Sequence, residues 1–163
     1  MAVKRISINW VANLNDSKDF HKYGDSSDGK FSKKFGQGRF VIPAPLEVDA
    51  LMKKVPKGKL TTINKLRAAL SKKHKTDFAS PITTGIFPWI AAHAADEMDR
   101  QGRKRITPYW RTLKSDGQIN PKYPGGIEAI REKLEAKGHT VIQKGKRFLV
   151  EDFEGKTVVP KLK

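Results

Sequence analysis

Not one of the 163 residues is cysteine. That absence excludes a disulfide scaffold, a thiolate zinc site, an iron–sulfur cluster and any thiol nucleophile. Acidic residues are scarce beside basic ones, 17 against 33, leaving a formal net charge of +16. No apolar run approaches the roughly 20 residues of a membrane-spanning helix, and the opening MAVKRISINW holds no apolar signal core. A protein without a membrane partner is therefore expected, cytoplasmic, and nucleoid-associated if its source is bacterial or archaeal. Dinucleotide, phosphate-loop and Gly-x-Ser-x-Gly patterns are missing too, and Gly36-Gln37-Gly38-Arg39 is too short to stand for one. His21, His74, His93 and His139 are scattered, with no carboxylate or second histidine at ligand spacing. Asp96, Glu97 and Asp99 read as a solvated helix end. No metal, cofactor or catalytic residue is expected.

What the chain does have is basic charge, and a charge of this size asks for a polyanion. Lys and Arg release condensed counterions when they neutralise phosphates, so nucleic acid is the leading partner. The excess is spread rather than held in a tail: 8 basic and 4 acidic residues over 1–43, 13 and 6 over 44–107, 12 and 7 over 108–163. With 37% hydrophobic residues, a modest core can form. The length fits one domain and an extension.

Residues 1–38 are polar and lack a sustained period, which predicts a basic N-terminal arm, extended or partly disordered, with Phe20, Phe31, Phe35 and Phe40 available as anchors. A domain over 39–153 and a tail over 154–163 follow. Pro45 opens a first helix, with Glu47 and Asp49 in its first turn and Pro56-Lys57-Gly58-Lys59 after it. A second helix starts behind Thr61 or Thr62 and runs to about residue 73, with Ile63, Leu66, Ala69 and Leu70 apolar. A third lies within residues 84–100, starting or kinking at Pro88 and closing at Gly102. A fourth spans residues 127–137, ended by Gly138. Residues 139–143 and 146–152 alternate around Lys144-Gly145 as a two-stranded hairpin. The expected class is mainly α with a small C-terminal β-hairpin, a winged helix-turn-helix.

The third helix is small-surfaced: Ala91, Ala92, Ala94, Ala95 and Gly85 let a partner backbone come close. That partner is another helix or a DNA groove. Lys72, Lys73 and Lys75 before it, and Arg100, Arg103, Lys104 and Arg105 after it, favour DNA. Thr83 and Thr84 near its start are candidate phosphate donors. Lys144, Lys146 and Arg147 would act as a basic wing.

Pro108-Tyr109-Trp110-Arg111-Thr112, then Asp116-Gly117, then Tyr123-Pro124-Gly125-Gly126 and a helix, follow Val55-Pro56-Lys57-Gly58-Lys59-Leu60-Thr61-Thr62 in a definite order. Over about residues 44–140 this order resembles the DNA-binding domain of the O6-alkylguanine-DNA alkyltransferases and their non-catalytic alkyltransferase-like relatives. The family's loop reads Pro-Cys-His-Arg-Val, its turn Tyr-Ser-Gly-Gly, and its opening motif Ile-Pro-x-Gly-x-Val-x-Ser/Thr. Tyr109 stands at the alkyl-accepting cysteine and Trp110 at the histidine. A phenol is a far poorer nucleophile than a thiolate, so the resemblance implies no alkyl transfer here. The family's arginine finger has no counterpart within residues 83–98, and the tyrosine that helps rotate a nucleotide falls on Ile63. The resemblance further implies a third helix in the minor groove, a largely structural Arg111, and a Tyr109–Trp110 pair that either fills the former pocket or still meets a nucleotide. The expected function is non-catalytic binding of double-stranded DNA, sensing alkylated guanine or DNA shape, by a monomer. An RNA- or ribosome-associated protein and a protein-interaction adaptor remain the alternatives.

Overall fold

The polar N-terminal segment is built into the domain wherever the computed structural model describes it, at residues 9–16 and 20–26; the description continues over 38–81 and 83–161. Trp10–Asn15 form helix α1, capped by the Asn9 side chain, which accepts from the Ala12 amide. Six residues cannot hold a helix unaided. Trp10 anchors it, stacked on His93 with ring centres 4.5 Å apart and edge-on to Trp89 at 4.7 Å. Strand β1, Lys22–Asp25, pairs antiparallel with β2, Arg39–Ile42. In these stretches the segment lies on the domain, where Phe20 is edge-on to Phe87. Phe31 and Phe35 lie outside the described residues.

Helix α2 covers Pro45–Lys53 and buries Val48, Leu51 and Met52. Strand β3, Thr61–Thr62, leads into helix α3, Ile63–His74, where the Thr62 hydroxyl accepts from the Lys65 amide. Lys72, Lys73 and His74 close that helix at its electronegative end. Strand β4, Phe78–Ala79, runs parallel to β2. Helix α4 then spans Thr83–Arg100 and continues through Pro88. Pro88 sits early enough to cost only the one bond to the Thr84 carbonyl, so the helix does not wait for it.

A 3₁₀ turn at Tyr109–Arg111 passes into strand β5, Thr112–Leu113, parallel to β3. Helix α5, Gly126–Glu135, starts behind Gly125, whose φ of 83° favours glycine. Strands β6, Val141–Lys144, and β7, Arg147–Val150, are antiparallel neighbours, with Ile119 donating to the Phe148 carbonyl alongside. The last residues belong to the fold as well: α6 is Phe153–Lys156, and the Val158 amide donates to the Leu60 carbonyl at 2.8 Å. The molecule is mainly α. Its core gathers Val48, Leu51 and Met52 of α2, Leu66 and Leu70 of α3, the alanines of α4, and Leu113, Ile119, Ile130 and Leu134. Among the described residues no helix is long and apolar enough to cross a membrane.

Candidate nucleic-acid interface

The alanine face of α4 is turned inward. Ala91 and Ala92 are fully buried and Ala95 nearly so, in a helix that packs against α1, α2 and α3. Their small size serves helix packing, which corrects the expectation that they meet DNA. Thr84 is buried too: its hydroxyl donates to the Ser80 carbonyl at 2.6 Å and accepts from Arg67 Nε at 2.7 Å, leaving nothing for a phosphate. Thr83 is half-buried, its hydroxyl oxygen enclosed and without a partner. Arg100 is exposed and held 3.2 Å from Asp96.

The expected cations divide among three places. Lys72 and Lys73 line a hollow with Ala69, Val159 and Lys161, and Lys73 is paired with Glu47. Lys144, Lys146 and Arg147 project from β6, β7 and their turn, with Arg147 3.9 Å from the Asp116 carboxylate. Lys104 and Arg105 line a hollow of about 530 Å³ together with Lys53, Lys57, Arg111, Pro108 and Trp110. Arg103 and Arg105 also edge a smaller hollow beside α1.

The hollow around Trp110 concentrates charge. Five cations and one aromatic ring share its lining. Lys133, from α5, places its Nζ 4.6 Å from the Trp110 ring centre, and the Arg111 guanidinium lies 5.8 Å from it on its own account. Arg111 also donates from Nη1 to the Val55 carbonyl at 2.9 Å, which ties the loop to the segment before β3. Lys53 is half committed, 3.0 Å from Asp49, whose other oxygen accepts from the Thr107 hydroxyl at 2.6 Å. Sequence reading missed Lys53, Lys57 and Lys133 as members of this group. The only signal was the run Lys53-Lys54 and Lys57-Gly58-Lys59, and nothing local connects it to Arg103-Lys104-Arg105.

Behind Trp110 the loop is filled. Tyr109 is buried against Trp110 and Tyr123, edge-on to both, with ring centres 5.2 and 6.2 Å away. Burial raises the Tyr109 phenol above its ordinary value, and the charges of Asp96 and Asp99 push the same way. Burial likewise raises Tyr123. Both phenols stay protonated and unreactive at neutral pH. Gly125 and Gly126 adopt left-handed backbone and turn the chain from Tyr123 into α5. Among the described residues no group of three or more acids and histidines is arranged to hold a metal ion.

No family model and no curated protein matches the chain. Among solved structures the chain is similar to S. pombe ATL in complex with DNA, at 14% identity and a TM-score of 0.46. It is also similar to the alkyltransferase-like protein Atl1 of S. pombe in complex with damaged DNA containing O6-carboxymethylguanine, at 15% identity and a TM-score of 0.49. Each likeness covers 71% of this chain and 94% of the other.

Proposed function

We propose that the protein binds double-stranded DNA without transferring an alkyl group, and that the hollow around Trp110 is where the phosphate backbone sits. The observation that carries this reading is that Lys53, Lys57, Lys104, Arg105 and Arg111 line one hollow with a single aromatic side chain, Trp110. Cations gathered from three separate segments raise the local potential far more than the same number spread evenly. Phosphate contact by Lys and Arg then supplies affinity without reading sequence. Arg100, Arg103, Lys144, Lys146 and Arg147 extend the electrostatic footprint, the last three as a wing. The alanine face of α4 takes no part.

The ordered motifs around Pro108 and Tyr123 agree with an alkyltransferase-like domain. The buried phenol of Tyr109 leaves that site without a nucleophile. Because Tyr109 and Tyr123 occupy the space behind the loop, a duplex carrying O6-methylguanine and its undamaged twin are expected to bind equally well. A titration with both duplexes over a range of salt concentrations tests the reading. Tight binding that weakens linearly in log–log form with salt supports it. No binding at low salt, or affinity indifferent to salt, sinks it. A clear preference for the lesion replaces shape or backbone binding with damage sensing, and a preference for structured RNA replaces the partner.

A further inference from the structure

On the far side of α3 the fold assembles side chains that lie 27 and 51 positions apart in sequence. His74, in the last turn of α3, has a side chain only 7% exposed. Its Nε2 lies 2.8 and 3.0 Å from the two carboxylate oxygens of Glu47 on α2, and its Nδ1 lies 2.9 Å from the Tyr23 hydroxyl on β1. A carboxylate only accepts, so Nε2 carries the proton. In the neutral ring Nδ1 is then an acceptor, and the phenol must donate to it. The sequence puts no carboxylate at ligand spacing from His74; tertiary packing brings one from 27 positions away.

The surroundings suit proton transfer. Burial pushes the Glu47 carboxyl up, but hydrogen bonds from Lys73 and His74 and the Lys73 charge, with that of His74 when it is protonated, outweigh it and hold it below its ordinary value, so it is ionised at neutral pH. The His21 ring packs 4.7 Å from His74 and 5.3 Å from Tyr23. The Arg39 guanidinium lies 4.6 Å from the centre of the Tyr23 ring. Tyr23 is 45% exposed, whereas Tyr109 and Tyr123 are 5% and 3% exposed. One of the chain's three phenols is therefore open to solvent, and it is the one hydrogen-bonded to an imidazole.

We propose that Tyr23 is an acyl-accepting nucleophile, with His74 as its general base and Glu47 orienting that base, and that its substrates are activated acyl donors such as aryl esters and acyl imidazoles. The Tyr23 oxygen bonds to the acyl carbon while its proton passes to His74 Nδ1. The carbonyl electron pair moves onto oxygen. Collapse breaks the bond to the leaving group, which departs with its electron pair and takes the proton back from Nδ1. The product is O-acyl-tyrosine, and the imidazole returns to its starting form. No oxidant, metal or further reactant is needed. The site is independent of the DNA interface and of the Tyr109 loop.

N-acetylimidazole offered to the whole protein at neutral pH tests this, with acetylation followed at each tyrosine by peptide mass spectrometry. N-acetyltyrosinamide in parallel reports an ordinary exposed phenol. Tyr23 is expected to react at least about a hundredfold faster than that reference, the lower end of general-base assistance. His74→Asn returns Tyr23 to the reference rate, Glu47→Gln gives an intermediate rate, and Tyr23→Phe removes the adduct. A wild-type rate no faster than the reference overturns the proposal, and that comparison needs no variant to fold. A His74→Asn protein with a native circular dichroism spectrum and an undiminished rate overturns it equally; should that variant fail to fold, Glu47→Gln carries the comparison.

Discussion

Arg111 Nη1 donates to the carbonyl oxygen of Val55 at 2.9 Å, so the loop bearing Tyr109 and Trp110 is clamped to the segment that leads into β3 and α3. Fifty-six positions separate the two residues, and β3 and β5 pair just beyond them. Arg111→Ala removes a charged donor from a half-buried carbonyl. It should cost about 1.5–3 kcal/mol, the range for hydrogen bonds involving a charged group. Urea denaturation measures this directly. A loss below about 0.5 kcal/mol, the level of an ordinary surface substitution, would mean that the clamp is ornamental and that β3–β5 pairing holds the loop alone.

The hollow around Trp110 makes a separable prediction about salt. Neutralising one fewer phosphate should lower the slope of log Kobs against log salt by about 0.9. Lys57→Ala, Lys104→Ala and Arg105→Ala should each do so for a duplex of mixed sequence. Lys72→Ala should leave the slope alone, because Lys72 lines a different hollow with Val159 and Lys161. Equal effects at all four positions would replace a defined interface with a diffuse cationic surface.

The contrast between those two hollows also marks how far the sequence could be read. Pro45, Thr62 and Gly125 each act within a turn of their own position, and the helices beginning at Pro45, Ile63 and Gly126 were legible for that reason. The inward alanines of α4 were not. Small residues permit close approach by protein or DNA alike, and only the placement of the helices around α4 decides between them. Helix α1 was missed because six residues give less than two turns of periodicity, and its stability comes from Trp89 and His93 some eighty positions away. Lys53, Lys57 and Lys133 carry no local mark that sets them apart from the other basic residues.

Introducing a thiol at residue 109 tests whether the loop is closed to chemistry. Tyr109→Cys would place a thiol in a buried position facing the charges of Asp96 and Asp99, which disfavour a thiolate. Its neighbour Trp110 is an indole and supplies no base. The variant should take no methyl group from an O6-methylguanine duplex, judged by intact-protein mass. Measurable transfer would show that the loop admits an alkylated base.

His139 supplies a pH prediction. It is buried, its Nδ1 lacks a hydrogen-bond partner, and burial lowers its pKa, with the nearby Lys156 charge adding to the effect. The unfolded chain then binds a proton more readily than the folded one below the ordinary imidazole value of about 6.5. Stability contributed by this group is complete above that value and falls as pH drops from there toward the folded-state pKa. His139→Phe should flatten that limb of the stability–pH curve. A wild-type curve that is level across the interval would show that the ring gains a partner on protonation.

Trp10 offers the sharpest test of the N-terminal segment. Its ring is stacked on His93 and edge-on to Trp89, and its amide donates to Glu97 at 3.0 Å. Trp10→Ala keeps the amide but removes the ring from both neighbours. An aromatic pair adds about 0.5–1.5 kcal/mol beyond burial, and burying half of a large side chain adds about 1 kcal/mol. A total loss near 2 kcal/mol is expected in urea denaturation. Helix α1 is too short to survive detached, so amides in the stretch Trp10–Asn15 should lose hydrogen-exchange protection completely. Those of the buried half of α4 should lose only what the global stability loses. If both segments fell together, α1 would be part of the cooperative core rather than a strap laid across it.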